Sequence, residues 1–247
     1  MCSSDLIRMS EEEKVNDELQ GTGGNPSGHG IRTGYDRALT EIKDGVLRMG
    51  SLVEDQVRAA IASLASHDVA KSNLVIEGDR KINELQQRTT AMIAGAIATQ
   101  NPVARDLRYL LTLDHVAYEL ERMGDHASSV AKQARRLAPM PPLAESALLV
   151  ELGGQVAELV RGVTHALVDA DEHAARKVAA LDDEVDSGYR RLFDAVLAVM
   201  RDDSAKVDAG TAMLFAAHYL ERIGDRVTNI AEDIVFLSSG EVEDLNP

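Results

Sequence analysis

The chain of 247 residues has no tryptophan, one cysteine, six prolines and only 3% aromatic residues. A single thiol, Cys2, excludes an internal disulfide and fits a reducing compartment. With 45% hydrophobic residues but few aromatics, the core must be built from Ala, Leu, Val, Ile and Met, as in closely packed helices, and an all-β fold is excluded. No apolar run approaches the ~18 residues of a spanning helix, and the N-terminus lacks the apolar region of a secretory signal. The sequence therefore predicts a cytoplasmic protein. Positive charge is also scarce: 26 Lys and Arg stand against 41 Asp and Glu, a net charge of −15. Phosphate backbones are bound by Lys and Arg that displace counterions, so nucleic acid is excluded as a partner, whereas cations are compatible. Also missing are a Walker-type glycine loop, Gly-x-Ser-x-Gly, His-Glu-x-x-His, a cysteine cluster and any nucleophile beside a base. Nothing marks an enzyme.

What the chain does have is a stretch written twice. His218-Tyr-Leu-Glu-Arg-Ile-Gly-Asp-Arg226 nearly repeats His115-Val-Ala-Tyr-Glu-Leu-Glu-Arg-Met-Gly-Asp-His126. Met213, Ala217, Leu220, Gly224, Val227, Ala231 and Ile234 follow the spacing of a buried helical stripe. Leu113, Ala117, Leu120, Gly124, Ala127, Ala131 and Ala134 repeat it. Glycine in mid-helix costs about 1 kcal/mol relative to alanine, so Gly124 and Gly224 are expected to mark a close approach.

Six helices follow from the periodicity. They are expected at about Tyr35 to Ser66, Val69 to Thr99, a third opened by Asn101 as N-cap with Pro102 at its first position and running to Leu137, Ala144 to Asp169, Glu172 to Met200, and Ala205 to Leu237. Pro139, Pro141 and Pro142 separate two sets of three. The predicted architecture is all-α: two tandem antiparallel three-helix bundles over residues 32–138 and 143–239. A glycine-rich extension over 1–31 and an acidic tail over 240–247 are expected to be disordered and flexible.

Beside the stripe lie carboxylates four residues apart, Glu121 with Asp125 and Glu221 with Asp225. The second helix of each set carries its own pair, Asp79 with Asn83 and Asp182 with Asp186, at the same two positions relative to the stripe. Like charges at this spacing repel, and hard divalent cations take such oxygen ligands. A solvated helix flank is the simpler account of any one pair. His115, His126 and His218 stand near the pairs as further candidate ligands or as ordinary surface histidines, and Arg122 and Arg222 as neutralising neighbours.

Leu120-Glu-Arg-Met-Gly-Asp-His126 and Leu220-Glu-Arg-Ile-Gly-Asp-Arg226, with Pro102-Val-Ala-Arg-Asp-Leu-Arg108 and Asn229-Ile-Ala-Glu-Asp233, resemble the PhoU family of phosphate-signalling regulators. The likeness spans about residues 32 to 240. It implies a non-enzymatic, cytoplasmic adaptor between the ATPase subunit of the phosphate ABC transporter and a sensor histidine kinase, which represses the phosphate-starvation response when phosphate is plentiful. It also implies homodimers, contact with the membrane only through partners, and metal clusters on Glu/Asp-x-x-x-Asp motifs. Those motifs are matched here by Glu121/Asp125, Asp182/Asp186 and Glu221/Asp225, with Asn83 departing from the pattern beside Asp79. The ions implied are divalent or trivalent, such as iron, manganese, zinc or magnesium. A carboxylate-rich protein whose function is metal binding or buffering is the alternative.

Overall fold

The computed structural model describes residues 27–245, and side chains from residue 34. The extension expected over 1–31 lies outside the described residues as far as residue 26. From Ser27 the chain is already helical, eight residues before the predicted start.

The helices are α1 (Ser27–Ser66), α2 (Val69–Gln100), α3 (Arg105–Leu137), α4 (Ser146–Asp169), α5 (Glu172–Ala180), α6 (Asp182–Asp202) and α7 (Val207–Ser239), with one 3₁₀ turn, Ser204–Lys206, before α7. No strand occurs among the described residues. Among the described residues the chain divides into two units at residue 38, residues 27–38 and 39–245. The second unit holds both helical repeats, so the two bundles merge instead of standing apart.

Local chemistry sets most boundaries. Asp68 caps α2 by accepting from the N–H groups of Ala70 and Lys71, and Asp171 caps α5 by accepting from Ala174. Gly240, with φ 79°, ends α7 in the left-handed conformation that costs glycine nothing.

Two boundaries differ from expectation. Asn101 does not open α3; it closes α2 with φ 45°, its N–H donating to the Ile97 carbonyl, and α3 starts only at Arg105. Asparagine tolerates left-handed backbone, so the Asn-Pro pair reads as a stop here. The fifth helix is broken at Leu181, whose N–H turns back to Val178. Asp182, Asp183 and Glu184 then fill the first turn of α6, where carboxylates favour the positive end of the helix dipole.

The predicted stripes form the core. Leu113, Ala117, Leu120, Ala127, Ala131 and Ala134 on α3, and Met213, Ala217, Leu220, Val227, Ala231 and Ile234 on α7, are all buried. Ile42, Val46, Met49 and Val53 on α1 are wholly inaccessible. Each such side chain stabilises by roughly 1.5–3 kcal/mol.

The repeats face one another about a pseudo-twofold relation visible in residue pairs. A Cβ at Gly50 on α1 would stand 3.0 Å from Thr164 Cγ2 on α4, and one at Gly153 on α4 would stand 2.8 Å from Ile61 Cγ1 on α1. Gly153 and Thr164 each lie 103 positions after Gly50 and Ile61, so each first helix offers a glycine to the other's branched side chain. α3 and α7 cross in the same antiparallel sense. Arg226 pairs with Glu119 at 3.3 Å, and the His126 ring stacks on Tyr219 with centroids 6.1 Å apart. The same two repeat positions meet twice, with different chemistry.

Candidate functional site

Each repeat gathers its acidic residues where its second helix meets the glycine of its third. A Cβ at Gly124 would lie 3.3 Å from Asp79 Oδ1, and one at Gly224 would lie 2.5 Å from Asp182 Oδ1. The two motif glycines are therefore close-approach points: Asp182 approaches Gly224, and Ile82, Gln56 and Asp79 crowd the Cβ position of Gly124 at 3.1, 3.2 and 3.3 Å. A β-carbon at Gly224 would push the Asp182 carboxylate out of its seat, whereas one at Gly124 would ask its neighbours to yield by only a few tenths of an ångström.

In the first repeat, Gln56 on α1 holds the seat. Its amide donates to the Val75 carbonyl at 3.2 Å and to Asp79 Oδ1 at 3.3 Å. Burial lifts the Asp79 carboxyl above its ordinary value despite that bond, and the nearby Asp125 charge adds to the effect. Glu121 is also raised, chiefly by burial and then by Asp125 and Asp79. Asp79, Glu121 and Asp125 thus feel one another. The Asn83 Oδ1 and Gln56 Oε1 atoms are buried without a hydrogen-bond partner, leaving oxygen acceptors unused beside the carboxylates.

In the second repeat, Asp182 is only 2% exposed and accepts from the Thr228 hydroxyl at 3.4 Å. Glu221 is pushed up to about 7 by burial and then by Asp225, with Asp186 and Asp182 adding to the rise and Arg222 opposing it. Its Oε2 is buried and makes no hydrogen bond, although His218 Nδ1 stands 3.4 Å away outside bonding orientation. Asp186 and Asp225 are partly neutralised by Arg190 and Arg222, each at 3.0 Å.

The eight sequence-predicted residues lie in two groups, one in each repeat: Asp79, Asn83, Glu121 and Asp125, then Asp182, Asp186, Glu221 and Asp225. Their donor chemistry fits a hard cation, and the raised carboxyls and unpaired oxygens show that charge is crowded there. Among the described residues, however, no three His, Cys, Asp or Glu side chains converge as a preformed cage. The carboxylates are turned onto partners of the chain's own: Gln56, Thr228, Arg190 and Arg222.

The histidines divide. His218 stands beside Glu221, whereas His115 Nδ1 pairs with Asp233 Oδ2 at 2.7 Å across the α3–α7 seam. That bond raises the His115 pKa, and burial raises Asp233. His126 is driven down to about 4 by burial and by Arg122, Arg222 and Arg226, which leaves a neutral ring on Tyr219. Sequence reasoning missed Gln56, Thr228 and the Glu119–Arg226 pair, because helical spacing does not reveal partners that lie on other helices. The break at Leu181 did have a signal, the acidic run Asp182-Asp183-Glu184 that marks a helix start.

The acidic tail is not loose within the described residues. Arg176 on α5 holds Glu243 with two bonds, of 2.6 and 2.8 Å, and the Leu245 N–H donates to Glu232 at 3.0 Å.

The PhoU domain family matches residues 46–134 and 149–234, one repeat each. A phosphate-specific transport system accessory protein PhoU homolog of Clostridium acetobutylicum is 35% identical over 213 residues, covering 86% of this chain and 97% of its own. A homolog of the same name from Caulobacter vibrioides is 34% identical over 208 residues, covering 84% and 90%. Among solved structures, PhoU from Pseudomonas aeruginosa superposes with a TM-score of 0.82 at 30% identity, covering 84% of this chain and all of that one. The phosphate transport system regulatory protein PhoU from Streptococcus pneumoniae gives 0.79 at 29% identity, covering 85% and 99%.

Proposed function

Because the chain belongs to the PhoU family, we propose that it regulates phosphate uptake and phosphate-starvation signalling. In this reading it is a cytoplasmic, non-enzymatic adaptor between the ATPase subunit of the phosphate ABC transporter and a sensor histidine kinase. It lowers the starvation response when phosphate is plentiful and acts as a homodimer. The observation that carries the reading is the agreement of both repeats with relatives named for phosphate transport, over 86% of this chain and 97% of the Clostridium acetobutylicum homolog. In keeping with it, no helix among the described residues is long and apolar enough to cross a membrane. Deleting the gene should derepress phosphate-regulated transcription in phosphate-rich medium. Unchanged transcription would reject the adaptor role.

The crowded carboxylates favour a second component. Asp79, Asn83, Glu121 and Asp125 in one repeat, and Asp182, Asp186, Glu221 and Asp225 in the other, would hold divalent or trivalent ions such as iron, manganese, zinc or magnesium. Such an ion supplies positive charge that these acids lack among themselves. The chain's part is to set the oxygens: Gly124 and Gly224 admit Asp79 and Asp182, and Gln56 and Thr228 orient them. If metal buffering were the function, the deletion would change metal tolerance and leave transcription intact.

A further inference from the structure

The second repeat has a part that the first lacks. After α7 the chain reverses at Gly240, where a side chain would collide with the Arg108 guanidinium, itself seated 5.4 Å over the Phe236 ring. Residues 241–245 then run back beside α7. Glu243 is clamped by Arg176, whose other contact is Glu172 at 2.9 Å, and the Leu245 N–H is tied to Glu232. Val242, Glu243 and Asp244 form one wall of a cleft of about 470 Å³ whose other walls include Asp182, Asp225 and Asn229. In the first repeat the chain leaves α3 through Pro141, Pro142 and Leu143 and lines a small apolar cleft with Leu64, Leu149 and Met213 instead.

We propose that residues 240–245 are a detachable strap, latched by the Arg176–Glu243 pair, that controls access to the acidic cleft of the second repeat and leaves the first repeat open. The anchors are suited to release. The Arg176–Glu243 pair is bidentate, which makes it the latch, but its side chains are 35% and 48% exposed, so water and salt screen it. Val242 is 90% exposed and adds no buried apolar anchor. The bonds that hold the strap are polar, Leu245 is its one part-buried apolar residue, and its hinge is fixed at Gly240. The proposal concerns access and stands whether or not the carboxylates hold metal.

The test is a thiol placed in the cleft. In a Cys2→Ser background, Asn229→Cys would be modified with methyl methanethiosulfonate, with the strap latched or after adding Arg176→Ala or, separately, Glu243→Gln. Modification should speed up at least threefold in both unlatched variants, and less in Arg176→Lys. Loss of Arg176 makes the cleft more negative and disfavours the thiolate, so faster reaction in Arg176→Ala reports access. Glu243→Gln favours the thiolate, so it supports the strap only when Arg176→Ala also accelerates and overturns it when it accelerates alone. Ser129→Cys, one hundred residues earlier at the matching repeat position, should not respond. Equal rates at position 229 would overturn the strap, and so would acceleration at both positions, which would signal general loosening.

Discussion

Arg226 Nη1 lies 3.3 Å from Glu119 Oε2, joining residues 107 positions apart across the α3–α7 seam. Glu119 is 2% exposed, so its charge is out of water and depends on this arginine and on His115 Nε2 at 3.5 Å. Arg226→Met should cost about 3 kcal/mol, because breaking a buried pair strands the remaining charge. Adding Glu119→Leu should recover most of the loss. Urea unfolding of the two variants decides it; equal stabilities would mean that the carboxylate is satisfied without Arg226.

The motif glycine gives a second prediction. Gly224→Ala improves helix propensity but puts a carbon 2.5 Å from Asp182 Oδ1, so a loss of about 1–3 kcal/mol is expected. Gly154→Ala, with open space around it, should gain up to about 1 kcal/mol. Thermal unfolding of both variants checks the contrast.

Glu221 predicts a pH dependence. Its carboxyl in the fold, at about 7, lies above its ordinary 4.5, so folding favours the protonated acid. The resulting penalty is absent below about pH 4.5 and complete above about pH 7. Glu221→Gln should therefore raise Tm at pH 8 and change it little at pH 4. A gain of equal size at both values would show that the charge of Glu221 is not what the fold resists.

Metal binding should differ between the repeats. Asp182, Asp186, Glu221 and Asp225 offer four carboxylates, whereas Asp79, Glu121 and Asp125 offer three beside the neutral Asn83 amide, and affinity rises with ligand charge. After chelator stripping and addition of Mn²⁺ or Fe²⁺, Asp225→Asn should remove the tighter class of ions and Asp125→Asn the weaker. Unchanged metal content in both would leave these acids as a crowded helix flank.

Much of this was legible before any coordinates. The stripes through Leu113 and Met213 are buried as their spacing required, because a helix that hides one face must repeat apolar residues at three and four. The glycines were rightly read as close approaches. What approaches them was not legible, since Asp182 comes from another helix and spacing within one helix carries no information about its neighbours. Asn101 was misjudged because the same residue type both starts and stops helices, and only backbone φ decides between them. The tail was expected to fray on composition, yet Arg176, nearly seventy residues away, holds it.

The reciprocal glycines Gly50 and Gly153 have a consequence for how such a chain can be divided. A fragment carrying one repeat would leave bare the faces of both its first and third helices, each already shaped to meet its own counterpart. Two copies of the first repeat would seat Gly50 against Ile61 of the other copy and set His126 opposite Glu119. Two copies of the second would seat Gly153 against Thr164 and set Arg226 opposite Tyr219. Either half is thus preadapted to self-assembly, and the full chain is in effect a tethered dimer whose covalent link lets the two halves diverge in charge.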